Sequence, residues 1–197
     1  MKTLKTHQIG YLIVLTTCVL LQLGGNPVAS ALRYDYRGIV AGEWWRLLTA
    51  HFVHLGWAHC ALNMAGIGVC LLLDSTPRTV VNQLFRFGLL AVGVSFQLLV
   101  FSPQITTYVG LSGVIYGMYV LLLVPRAQRG EWLGWVGLAL VAGRVGWQLA
   151  VGSPASEEAR IGGRIISQAH LYGVTTALAM CAAVRLHSAR RNENKLS

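Results

Sequence analysis

Residues 87–125 read FGLLAVGVSFQLLVFSPQITTYVGLSGVIYGMYVLLLVP, and the 39 positions between Arg86 and Arg126 carry no charge. As one continuous helix they would reach about 58 Å, against a hydrocarbon layer roughly 30 Å thick. Two crossings fit only if both are short. Ser102-Pro103 and Gly110 break the run, because proline and glycine stop or bend helices. The stretch therefore predicts a hairpin whose second helix begins at Ser112, below the membrane surface. Irregular backbone at that depth is tolerated only beside protein or a water-filled cavity, which predicts a cavity next to Ser112.

The rest of the chain agrees with a membrane setting. Of its 197 residues 54% are hydrophobic and only 12% charged, with a mean hydropathy of +0.55. That composition is too apolar for a soluble domain of this length. The reading is an all-α membrane protein forming one compact domain over residues 1–197, without internal repeats. Six spans are expected near 9–24, 57–73, 86–101, 112–125, 132–150 and 164–184, followed by a basic tail over 185–197. A net charge of +9 raises the question of nucleic acid, but the basic residues flank the apolar segments. Membrane topology accounts for them, and no nucleic-acid partner is expected.

Ten Lys and Arg residues fall on one side of the predicted spans: Lys2, Lys5, Arg78, Arg86, Arg126, Arg129, Arg185, Arg190, Arg191 and Lys195. Five fall on the other, Arg33, Arg37, Arg46, Arg160 and Arg164. The positive-inside rule then places both termini in the cytoplasm. A competing reading of the first span exists. Lys2 and Lys5, an apolar run and Ala29-Ser30-Ala31 also have the form of a secretory signal peptide, whose removal would spare every candidate site residue. Cys18, Cys60, Cys70 and Cys181 all lie in apolar segments without metal-type spacing and read as buried free thiols.

Three polar residues share one depth. Ser112 precedes Arg126 by 14 positions, His170 precedes Arg185 by 15, and His59 precedes Asp74 by 15. At about 1.5 Å per helical residue, all three sit roughly 21–23 Å above one boundary. In the octapeptide Gly110-Leu111-Ser112-Gly113-Val114-Ile115-Tyr116-Gly117, Ser112 occupies the first turn of a helix, where free N–H groups and the positive dipole end favour a developing oxyanion. Gly113 and Gly117 form a small-residue strip suited to close helix packing. Tyr116 lies one turn from Ser112 on its own face. The bland reading of this glycine-rich segment is helix packing alone.

Ala169-His170-Leu171-Tyr172-Gly173 supplies an imidazole able to accept a serine proton near neutrality, with Gly173 one turn away to admit another helix. Its competing reading is an interhelical hydrogen bond. His59 and Asn63 place two donors on one helix face, aimed either at a carbonyl oxygen or merely at a neighbouring helix. The only aspartates are Asp35 and Asp74, both in loops or at span ends, so no span buries a carboxylate beside His170. A Ser-His dyad is what remains, with Tyr116 able to orient the ring by stacking.

This set resembles the rhomboid family of intramembrane serine proteases. The resemblance rests on Gly110-Leu111-Ser112-Gly113, Ala169-His170-Leu171-Tyr172-Gly173, His59 with Asn63, and Trp45-Arg46, in the family's order over residues 43–177. It implies a six-helix rhomboid fold, Ser112 as nucleophile and His170 as general base. It implies an oxyanion site from His59, Asn63 and the Ser112 backbone N–H, with Tyr116 as the stacking aromatic. Trp45 and Arg46 match a structural motif of the membrane-embedded first loop. A narrower resemblance is to rhombosortase, carried by Gly42-Glu43-Trp44-Trp45-Arg46-Leu47-Leu48-Thr49-Ala50-His51. It implies a bacterial inner-membrane enzyme acting on proteins that end in a Gly-Gly motif, one membrane helix and basic residues. Tyr116 departs from that subgroup, where His is expected.

The implied substrate is a single-pass membrane protein that enters laterally and is cut near the outer face. Membrane lipid and an accessory membrane protein are the other expected partners, and no cofactor is implied. His51, His54 and His59 could suggest a metal, but no carboxylate or thiolate completes the set, and no metal is expected. The six tryptophans read as interfacial belts. Arg144, 13 residues after Glu131, would lie about 20 Å along the fifth helix. A cation there should snorkel, pair or face the cavity. In rhomboids the fifth helix borders the substrate gate, so Arg144 is a candidate contact for substrate backbone, lipid phosphate or a partner protein. Two other classes compete: a catalytically inactive rhomboid-like protein that binds transmembrane clients, and a small transporter, which the missing inverted repeat and buried carboxylate disfavour.

Overall fold

The structure is a computed structural model that describes residues 6–193. Lys2, Lys5 and Lys195, which weigh in the orientation argument, lie outside the described residues. In chain order the helices are α1 (Thr6–Leu23), α2 (Gly25–Leu32), α3 (Tyr36–Val40), α4 (Arg46–Thr49), α5 (Trp57–Leu73), α6 (Val80–Phe101), α7 (Ser112–Gln128), α8 (Trp132–Ala150), α9 (Ala155–Ile161) and α10 (Ser167–Glu193), with a 3₁₀ turn at Ala50–Phe52. The chain is mostly helical, as an all-α reading expects, with one short ladder between two connections. Tyr34–Asp35 (β1) and Thr107–Tyr108 (β2) pair antiparallel, Tyr34 opposite Tyr108 and Asp35 opposite Thr107. Backbone that leaves its helix needs partners where water is scarce, and each segment supplies the other's.

α5 and α8 span the expected residues, and α7 opens at Ser112. α6 starts earlier than expected, where the Thr79 side chain accepts from the Asn82 N–H at 3.2 Å. α10 runs on past Arg185 to Glu193. Both differences have one reason: a charge marks where hydrocarbon ends, not where a helix ends. Among the described residues three helices, α6, α8 and α10, are long and apolar enough to cross a membrane, or up to five spans if each of the bent pairs α1–α2 and α4–α5 counts as one. α7, at 17 residues, is the short helix that the uncharged stretch demanded.

α7 forms the axis of the bundle, buried along Val114, Met118, Val120 and Leu121. Small residues let the neighbours close on it. An added Cβ at Gly134 of α8 would stand 2.3 Å from the Ala127 nitrogen of α7. α6 is held to α10 by polar contacts as well: Gln97 Nε2 donates to Thr176 Oγ1 at 2.8 Å, and Ser102 Oγ lies 2.8 Å from the Tyr172 hydroxyl. α1 belongs to the packed core. Tyr11, Val14 and Cys18 are buried, and the Tyr11 hydroxyl donates to Asp74 Oδ2 at 3.0 Å. Outward, the pattern inverts: Leu72, Val81, Phe85, Leu140 and Val184 are exposed, as are all six tryptophans. Such a surface is stable against lipid rather than water.

The connection from α2 to α5 is folded around Arg46. Its Nη1 donates to the carbonyls of Ser30 (3.1 Å) and Arg33 (2.8 Å), and its Nε pairs with Glu43. Trp45 beside it is exposed, facing the surroundings of the bundle. This is the connection that carries the arginine-tryptophan pair singled out from the sequence.

Candidate active site

The helix hairpin α6–α7 leaves the irregular segment around β2 below one end of the bundle, and a cavity of about 890 Å³ opens beside it. Ser112, Tyr116, His59, Asn63, Gln148 and His170 all line it. Exposed Thr107, Arg160 and Arg164 stand among its wall residues, so the cavity reaches the surface. The cavity expected beside Ser112 from the uncharged stretch is present.

The glycines decide how close Ser112 comes to His170. A Cβ added at Gly113 would stand 2.7 Å from the Ala169 carbonyl oxygen, and one at Gly117 would stand 2.8 Å from that of Gly173. A Cβ on Gly173 would fall 1.8 Å from the Gly113 oxygen, which no real structure tolerates. Backbone therefore lies directly on backbone where α7 meets α10. That contact brings the first turn of α7 against the first turn of α10. His170 Nε2 lies 2.9 Å from Ser112 Oγ. Tyr116, one turn along α7, stacks on the imidazole with ring centroids 4.5 Å apart and planes 29° apart.

The other ring nitrogen was not accounted for by sequence reasoning. His170 Nδ1 lies 2.8 Å from Gln148 Oε1 of α8, and Gln148 is only 3% exposed. An amide oxygen can only accept, so Nδ1 carries the proton and Nε2 is left with a lone pair facing the serine hydroxyl. Gln148 is one helical turn from Arg144 on α8. A glutamine one turn from the arginine of a mostly apolar helix is the signal that could have found it.

His59 and Asn63 lie on α5 across the cavity. The Leu55 N–H approaches His59 Nδ1 at 3.4 Å, which favours a proton on Nε2. The Nε2 edge meets the backbone of Gly110, where an added Cβ would stand 2.7 Å from it. Gly110 has φ +113°, a conformation glycine adopts freely, so this close approach rests on a residue without a side chain. Asn63 Nδ2 donates to the His59 carbonyl at 2.9 Å, leaving its second N–H uncommitted. The first-turn N–H of Ser112 has no carbonyl of its own helix to bond.

Arg144 lines the same cavity and forms an ion pair with Glu157 of α9. Of the three fates considered for a cation at that depth, it pairs and it faces the cavity. Glu157 was not anticipated, because nothing in the sequence ties α9 to that position. His51 Nε2 lies 2.9 Å from Ser95 Oγ, and His54 stands edge-on to His59 at 5.1 Å. Among the described residues, no three His, Cys, Asp or Glu side chains are grouped to hold a metal ion.

Comparison with known proteins finds similar sequences. A family profile described as Rhomboid domain covers residues 41–187. Rhomboid protease GluP of Bacillus subtilis is 33% identical over 138 residues, covering 64% of this chain and 25% of that protein. YdcA of the same organism, named only as a candidate rhomboid protease, is 28% identical over 99 residues, 49% of each chain. The chain thus spans between a quarter and about half of the length of these curated relatives.

Proposed function

This chain belongs to the rhomboid family, and from that premise we propose that it is an intramembrane serine protease working through a Ser112–His170 dyad. The observation that carries the reading is the 2.9 Å contact between Ser112 Oγ and His170 Nε2, at the head of a buried helix and inside a cavity. In this mechanism His170 Nε2 takes the serine proton as Oγ attacks the scissile carbonyl. The resulting oxyanion is held by the Ser112 N–H, His59 Nε2 and the free N–H of Asn63. Collapse expels the amine, which takes the proton from His170. The acyl-enzyme is then resolved by water or another nucleophile that His170 deprotonates in turn. Tyr116 fixes the ring plane, Gly113, Gly117 and Gly173 set the helix spacing, and Arg46 with Trp45 shapes the first loop.

α1, α5, α6, α7, α8 and α10 form six spans in this reading. The packed Tyr11, Val14 and Cys18 support α1 as a retained span rather than a cleaved leader. Both termini face the cytoplasm of a bacterial inner membrane, and the cavity opens outward. The substrate is a single-pass membrane protein, cut near the outer face, with lipid around the bundle. Residues 42–51 support a rhombosortase-type specificity for tails bearing Gly-Gly, one membrane helix and basic residues.

The test is labelling of the full chain in lipid vesicles by a fluorophosphonate, with cleavage of two fusions that do and do not carry such a tail. Wild-type protein is expected to label and cut, and Ser112→Ala to do neither at normal expression. Wild-type protein that expresses but neither labels nor cuts would instead favour a non-catalytic client-binding protein. Equal cleavage of both fusions would leave a rhomboid protease without the narrower specificity.

A further inference from the structure

The walls of the cavity carry an uneven charge. Arg33, Arg144, Arg160 and Arg164 line it, against one carboxylate, Glu157. They come from four places: the end of α2, the middle of α8, α9, and the α9–α10 connection. Arg144 is paired with Glu157. The Arg33 guanidinium reaches Asp35 only at 4.0 Å, and its buried Nε has no partner. Among the described residues no carboxylate pairs with Arg160 or Arg164.

Cations at this end of the bundle run against the general distribution of charge. Arg78, Arg126, Arg129 and Arg185 lie at the opposite end, where α5 meets α6, α7 meets α8, and α10 emerges. Of the five arginines outside the spans at the cavity end, Arg46 is consumed by the first loop. Three of the other four converge on one cavity. Like charges gathered without partners repel, and that cost is offset when an anion is bound.

From this we propose that the cavity mouth is an electropositive subsite that selects an acidic side chain in the peptide substrate, next to the segment presented to Ser112. The proposal rests on the protease reading and names a feature of its substrate. These arginines line the same cavity as Ser112 and His170. Whatever they bind must therefore lie beside the chain that reaches the nucleophile. A lipid headgroup seated there would fill the space that chain needs. An Asp or Glu in the substrate would meet Arg160 and Arg164 at the rim and compete with Glu157 for Arg144.

The experiment uses the full chain in neutral lipid vesicles and a single-pass model substrate. Its juxtamembrane residues on the cavity side are varied one at a time to Asp, Asn or Lys. Wild-type enzyme is expected to favour Asp over Asn at one or two positions by on the order of tenfold in kcat/KM, and to disfavour Lys. The advantage should shrink as salt is raised. The double variant Arg160→Glu/Arg164→Glu should lose the preference and gain activity on the Lys substrate, a gain that an unfolded protein cannot give. Charge-blind cleavage by wild-type enzyme that labels with fluorophosphonate would overturn this proposal alone. A rate that follows the anionic lipid content of the vesicles and not substrate charge would do the same. Absence of labelling and of all cleavage would instead overturn the protease reading beneath it.

Discussion

At the scale of single residues, the candidate site differs from a three-member triad by one atom type. The group that meets His170 Nδ1 is the neutral amide of Gln148, at 2.8 Å, rather than a carboxylate. An amide oxygen sets the tautomer without placing a full negative charge in a low-dielectric site, where an unpaired charge would be costly. Gln148→Leu should leave Nδ1–H buried and unpaired, at a cost of about 1–3 kcal/mol. In cleavage kinetics that predicts a fall of roughly 10- to 100-fold in kcat with KM nearly unchanged. Gln148→Glu, which keeps an acceptor in place, should recover most of the loss. A Gln148→Leu enzyme with unaltered kcat would remove Gln148 from the mechanism.

At the scale of elements, the geometry of the proposed dyad depends on how closely α7 and α10 approach. The Gly113, Gly117 and Gly173 contacts show no slack, and the hydroxyl and imidazole meet only because no side chain stands between the two backbones. Gly173→Ala should push the helices apart, destabilise the protein by about 1–3 kcal/mol or more, and abolish fluorophosphonate labelling. Gly143→Ala on α8, where an added Cβ meets nothing within 4 Å, is the matched control and should label normally. Thermal unfolding in detergent alongside labelling separates lost stability from lost geometry. These glycines were legible in the sequence as a strip of small residues. Their partner helix was not, since Gly134 makes the same kind of backbone contact between α8 and α7.

At the scale of the whole molecule, the protein is a bundle turned inside out, with apolar side chains on its surface and one cavity that brings together buried His59, Asn63, Gln148 and His170. The asymmetry of its arginines is the basis of the proposed orientation as well as of the proposed binding surface. A reporter fused after residue 197 is expected to behave as cytoplasmic, and one inserted in the α8–α9 connection as external. The reverse pattern would place the cavity on the cytoplasmic side and overturn the proposed site of cutting.

The sequence alone determined what depends on the transfer of each residue between water and lipid. The short uncharged helix opening at Ser112 and the cavity beside it both follow from counting residues between charges. Desolvation is paid locally, so hydropathy along the chain records it. Tertiary structure alone decided which polar group meets which: Gln148 with His170, Glu157 with Arg144, β1 with β2, and four separate arginines around one mouth. Those pairings depend on the rotation and separation of packed helices, which side-chain shape sets and spacing along the chain does not encode.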